Sequence, residues 1–107
     1  MHSRTLTFNI NGQQIAKDPK CDFSGLVAGT VGYLKAKFTF SEEWNDCILV
    51  ASFWKGSNEH AARIINGECD IPPEALTGAI FKVSVTGKRG DFLITTNKVF
   101  VRQEVCR

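Results

Sequence analysis

Residues Tyr33–Trp54 read YLKAKFTFSEEWNDCILVASFW and contain two strand patterns, the break between them and both tryptophans. In the first part, Leu34, Ala36, Phe38 and Phe40 alternate with Lys35, Lys37 and Thr39. Successive side chains of a strand point to opposite faces, so this period of two predicts a half-buried strand over Tyr33–Phe40. Ser41-Glu42-Glu43-Trp44 interrupts the alternation. One turn of helix is expected there, with the Ser41 hydroxyl accepting a free backbone N–H and Trp44 thrown back onto the sheet. Cys47–Trp54 is almost continuously apolar, which suits a strand covered on both faces.

Outward from this stretch the same grammar repeats. Towards the N-terminus, Arg4–Ile10 places Leu6, Phe8 and Ile10 on one face. Asn11-Gly12 follows, a pair suited to a type I′ hairpin turn, and then Gln13–Lys17. Asp18–Thr30, DPKCDFSGLVAGT, reads as a structured loop crossing one end of the sheets, with Phe23, Leu26 and Val27 as plugs. After Trp54 a polar turn is expected at Lys55–Glu59 and a strand at Ala61–Ile65. A hairpin at Asn66-Gly67 and a short strand at Glu68–Ile71 follow. Pro72-Pro73-Glu74-Ala75-Leu76 suits a single helical turn with proline at its start. Ala79–Thr86 alternates again, and Gly87–Gly90 is expected to be a hairpin loop. Asp91–Thr96 and Lys98–Val105 are the last strands, with a bulge or kink at Asn97; Gln103–Arg107 is expected to fray.

Short strands every 8 to 12 residues or so, punctuated by turns, predict an all-β, antiparallel β-sandwich with one or two single-turn helices. Phe8, Phe38, Phe40, Trp44, Phe81 and Val83 are its expected core anchors. At 107 residues the chain is one domain, 1–107, long enough for a real core. Its 43% hydrophobic and 22% charged content is that of an ordinary globular protein, and its net charge of +2 is too small to argue for nucleic acid. No secretory signal and no stretch approaching the ~20 apolar residues of a membrane span is present, so synthesis in the cytoplasm is expected, followed by residence there or release by a route needing no signal peptide, such as cell lysis, with no membrane partner.

Catalytic patterns are scarce. Cys21, Cys47, Cys69 and Cys106 are irregularly spaced without a CxxC pair, which disfavours zinc and dithiol chemistry and suggests free thiols; a disulfide formed after release from the cell stays open. The only histidines are His2, near the terminus, and His60, in an expected loop, so a Cys–His nucleophile is disfavoured. Adjacent Glu42 and Glu43 diverge on a helical turn, and Asp70 and Glu74 flank the Pro-Pro turn as capping groups. No phosphate loop, HExxH or GxSxG is found. No metal or cofactor is expected. Arg89-Gly90-Asp91 spells an adhesion tripeptide, but two strands need a turn at this point in any case. Most aromatics belong to core faces. Tyr33, Trp54 and Phe100 are the least forced inward, and with Arg102 they are the candidate interface residues.

Four runs in order carry a resemblance: FTFSEEW at Phe38–Trp44, CDIPPEAL at Cys69–Leu76, FKVSVTG at Phe81–Gly87 and ITTNKVFV at Ile94–Val101. From Tyr33 onward the chain resembles small proteins and amino-terminal modules of tailed phages and prophages of Gram-positive bacteria. It is most similar to the Ig-like module of upper baseplate and tail-fibre adaptor proteins. The resemblance implies a non-catalytic virion building block of the baseplate, tail or capsid surface, whose partners are other virion proteins or further copies of itself. Such modules commonly precede a host-binding region. This chain stops at Arg107, so decorating or joining virion proteins is the expectation here. Docking through an edge, Lys98–Val105 or Arg4–Ile10, is expected. The alternative is a small phage-encoded inhibitor that binds a host defence protein.

Overall fold

The computed structural model describes residues 2–105. Strands run β1 Arg4–Asn11, β2 Gln14–Lys17, β3 Leu34–Phe40, β4 Ile48–Lys55, β5 Asn58–Ile64, β6 Glu68–Asp70, β7 Ile80–Arg89, β8 Phe92–Thr95 and β9 Val99–Arg102. Single 3₁₀ turns occupy Glu42–Trp44 and Pro73–Leu76. One sheet has the order β2-β1-β3-β6; the other is β5-β4-β7 with β8 and β9 both on the far side of β7. The expected all-β, two-layer arrangement is the fold, but it is not wholly antiparallel. β1 and β3 pair in parallel, from Arg4 opposite Leu34 to Ile10 opposite Phe40. The β1–β2 hairpin fills the other edge of β1, so the 18–33 loop must carry the chain across before β3 can join. Arg4–Ile10 is therefore interior to its sheet. It is not a docking edge, because β3 takes one backbone rim along its whole length, and on the other β2 pairs from Phe8 onward while Asp18 and Cys21 of the following loop bond to Thr7 and Thr5.

Alternation translates directly into the core. Leu6, Phe8, Ile10, Ile15, Leu34, Ala36 and Phe38 line one sheet's inner face; Ala51, Phe53, Phe81, Val83, Val85 and Val101 line the other's, and all are buried in one cluster. Burying each Val, Leu, Ile or Phe among them stabilises by about 1.5–3 kcal/mol before the entropy cost. Phe8 and Phe38 are register partners, and their rings stack at 5.5 Å between centroids. Phe40 is only half-buried, at the margin, leaning on Phe38 at 6.1 Å and Trp44 at 5.5 Å.

Trp44 does return to the sheet, where its indole N–H donates to the Gly12 carbonyl at 2.8 Å. Ser41 does not cap its turn. Its hydroxyl accepts the Gly12 N–H at 2.8 Å, so two atoms of the corner fasten the β1–β2 turn. That turn is Gly12-Gln13 and not Asn11-Gly12. Asn11 pairs with Gln14, and of the two turn residues only Gly12 has positive φ, as a II′ turn requires. Asn66-Gly67 does have both φ positive, the I′ signature. The remaining hairpins are also tighter than expected. Lys55 pairs with Asn58, so His60 lies in a strand and not in a loop. β7 continues through Gly87 to Arg89 and turns at Gly90-Asp91.

The kink at Asn97 joins the layers. Asn97 Oδ1 accepts the Ile15 N–H at 2.9 Å, and the Asn97 N–H donates to the Gln13 carbonyl at 3.0 Å. The last strand is shorter than Lys98–Val105, yet the chain beyond it is held. The Gln103 N–H donates to Ala79, its side-chain amide donates to the Leu76 and Gly78 carbonyls, and Glu104 bridges Val27. Fraying is thus corrected as far as Glu104; Cys106 and Arg107 lie outside the described residues. In the 18–33 loop Leu26 plugs the end, with Phe23 edge-on to Phe8, but Val27 faces solvent. Cys21, Cys47 and Cys69 are free thiols.

Candidate docking surface

With Phe53 and Val83 turned inward, pleating turns their neighbours Trp54 and Lys82 outward. Cross-strand register then builds a row, Glu59–Trp54–Lys82–Phe100, across β5, β4, β7 and β9. Arg102 and Ile80 form the next pair on the same face. Three of the four candidate interface residues, Trp54, Phe100 and Arg102, are thereby brought together. Tyr33 is not among them: it precedes β3 at the end of the other sheet.

Specific contacts hold the row in shape. The Lys98 ammonium lies 3.7 Å from the Trp54 ring centroid, and Lys82 lies 5.5 Å from that of Phe100, both attracted by the negative ring faces. The Trp54 indole N–H donates to Ser84 Oγ at 3.1 Å, and Ser52 Oγ donates to the Glu59 carboxylate. Ser52 and Ser84 are buried beneath these larger groups. Phe100 remains 55% exposed, with Ile80 beside it also exposed. Lys82 belongs to the row, Lys98 lies over it and Arg102 stands beside it, with Glu59 as its carboxylate. The result is an aromatic and cationic surface suited to a partner offering apolar and acidic groups. Lys82 and Lys98 were not legible as members of this surface, since nothing local in the sequence shows which rings they cover.

At Tyr33 the geometry offers less. Tyr33 lines a cleft of about 230 Å³ with Arg4, Gly25, Leu26, Val27, Thr30 and Leu34, below the ~300–1,000 Å³ of a typical small-molecule site. Its one cation, Arg4, already donates to the Asp22 and Ser24 carbonyls at 2.8 and 2.7 Å. Asp70 pairs with Lys35 at 2.6 Å across β3 and β6, rather than acting with Glu74. Burial, and then the Asp70 carboxylate, push the Cys69 thiol up to about 12, which suppresses the nucleophilic thiolate. Among the described residues no three His, Cys, Asp or Glu side chains are grouped to hold a metal ion. No described helix is long and apolar enough to cross a membrane. In the Arg89-Gly90-Asp91 turn, the Arg89 guanidinium stacks 4.6 Å from the Phe92 centroid and donates to the Asn45 carbonyl, so it is engaged within the chain.

No protein-family model matches this sequence, and no curated protein sequence matches it.

Proposed function

We propose that this chain is a non-catalytic structural module of a phage virion, in the baseplate, tail or capsid surface, that works by protein–protein association. The observation that carries the association is the outward Trp54–Lys82–Phe100 row. Aromatic side chains that could have been buried are held at the surface by lysines and serines, and aromatic anchors within a polar rim are what protein interfaces use. Support for the virion setting comes from the four runs between Phe38 and Val101 that resemble tailed-phage modules. The partner class is another virion protein or a second copy, and the face takes no cofactor.

Mass spectrometry of purified particles, with stoichiometry, tests this reading. Presence at a fixed ratio to a tail or capsid protein is expected, with expression late in infection. Absence from particles together with early expression would overturn it and favour an inhibitor of a host protein.

A further inference from the structure

The five-stranded sheet ends on β5, Asn58–Ile64, which pairs only with β4. Among the described residues, no backbone hydrogen bond links Asn58–Ile64 to anything but β4. Lys55–Asn58 closes a two-residue hairpin and is a hydrogen-bonded pair, so the backbone groups of Glu59, Ala61 and Arg63 turn outward. The Glu59, Ala61 and Arg63 side chains share the outer face, in register with Trp54, Ser52 and Val50. Glu59 and Arg63 are four residues apart on one strand, about 13 Å, too far to pair with each other. Neither has an ion-pair partner among the described residues.

We infer that β5 pairs antiparallel with β5 of a second copy about a two-fold axis at Ala61. In that register Ala61 faces its own equivalent, and Glu59 of each copy faces Arg63 of the other. Each of these is a pair whose N–H and C=O groups already point at the partner. The edge is therefore self-complementary in both hydrogen bonding and charge, as a two-fold interface requires, and the small Ala61 side chain leaves the strands free to approach. Charges on an edge strand ordinarily deter such pairing; here their signs are arranged to permit this one register. Two five-stranded sheets would become one, with both Trp54–Phe100 rows on the same side. A repeated partner could then be held at two points, with the gain in avidity that linkage gives. The inference stands apart from any role in a particle.

Sedimentation velocity of the whole chain up to about 1 mM, where even weak association registers, tests it. A monomer–dimer equilibrium is expected. Glu59→Arg places like charges opposite each other twice and should weaken the dimer about tenfold or more. Combining it with Arg63→Glu should restore dimerisation, a rescue that general destabilisation would not give. Ala61→Pro removes only an outward N–H, which an edge strand tolerates, and should yield a monomer with an unchanged circular dichroism spectrum. A wild-type chain that stays monomeric overturns the inference. So does a dimer indifferent to Glu59→Arg, or a double variant that fails to recover; the charge-swap pair decides the matter if Ala61→Pro fails to fold.

Discussion

Gly87 sits in the middle of a paired strand, opposite Leu49 on one side and Ile94 on the other, and it is buried. A Cβ built there would lie 2.8 and 2.9 Å from Cε3 and Cζ3 of Trp44 and 3.2 Å from the Cys47 Cβ. Carbon contacts prefer about 3.5–4.0 Å, so Gly87→Ala forces an overlap of roughly 0.6–1.2 Å. The indole cannot easily retreat. Its N–H is bonded to the Gly12 carbonyl, Phe40 packs against it, and it is almost wholly buried. Overpacking of this kind costs about 1–3 kcal/mol, while replacing a strand glycine by alanine returns about 0.5–1 kcal/mol of backbone entropy. The overlap wins. A net loss of about 1–2 kcal/mol is expected, which for a domain of this size lowers the thermal midpoint by roughly 4–9 °C. Urea titration followed by tryptophan fluorescence measures the change. Repeating the substitution in a Trp44→Leu background should remove most of the penalty, because the coupling is between these two side chains. If Gly87→Ala is as stable as the parent, or if Trp44→Leu leaves its cost unchanged, the account of this corner is wrong.

Asn97→Ala should cost about 1–2 kcal/mol, read in the same titration, because it strips the acceptor from the half-buried Ile15 N–H. Cys69 should resist iodoacetamide at pH 8 in the folded chain and react once urea is added, since its thiol is held up at about 12 and carries roughly a thousandfold less thiolate than an ordinary cysteine. The sign of the linked stability follows. The contribution is intact below the ordinary value of 9.0 and falls as pH rises towards about 12, so Cys69→Ala should flatten the alkaline limb of the stability curve. Phe100→Ser removes a ring already 55% exposed; it should shift stability by less than about 0.5 kcal/mol while abolishing co-purification with the docking partner.

Where a strand's two faces differ, its own residues announce it. Leu6, Phe8 and Ile10, then Leu34, Ala36 and Phe38, then Phe81, Val83 and Val85 could be assigned to a core without knowing what they would meet, and each is buried. The 3₁₀ turn at Pro73 and the I′ turn at Asn66-Gly67 were legible for the same reason, since proline and asparagine–glycine restrict their own backbone. The candidate surface was half legible. Trp54, Phe100 and Arg102 could be marked as outward, but Tyr33 could not be told apart from them, because alternation assigns a face and not a neighbour.

Long-range partners decided the rest. Gly87 looks like turn chemistry until Trp44, 43 positions earlier, is laid over it. Arg4–Ile10 looks like an edge until β3 arrives in parallel on one side of it. Lys82 and Lys98 look like solvated charges until register sets them on Phe100 and Trp54. Local alternation in the sequence thus determined which side chains turn inward, because a strand's period belongs to its own backbone. Which strands lie side by side, and so which outward groups share a surface, was decided only when distant segments paired.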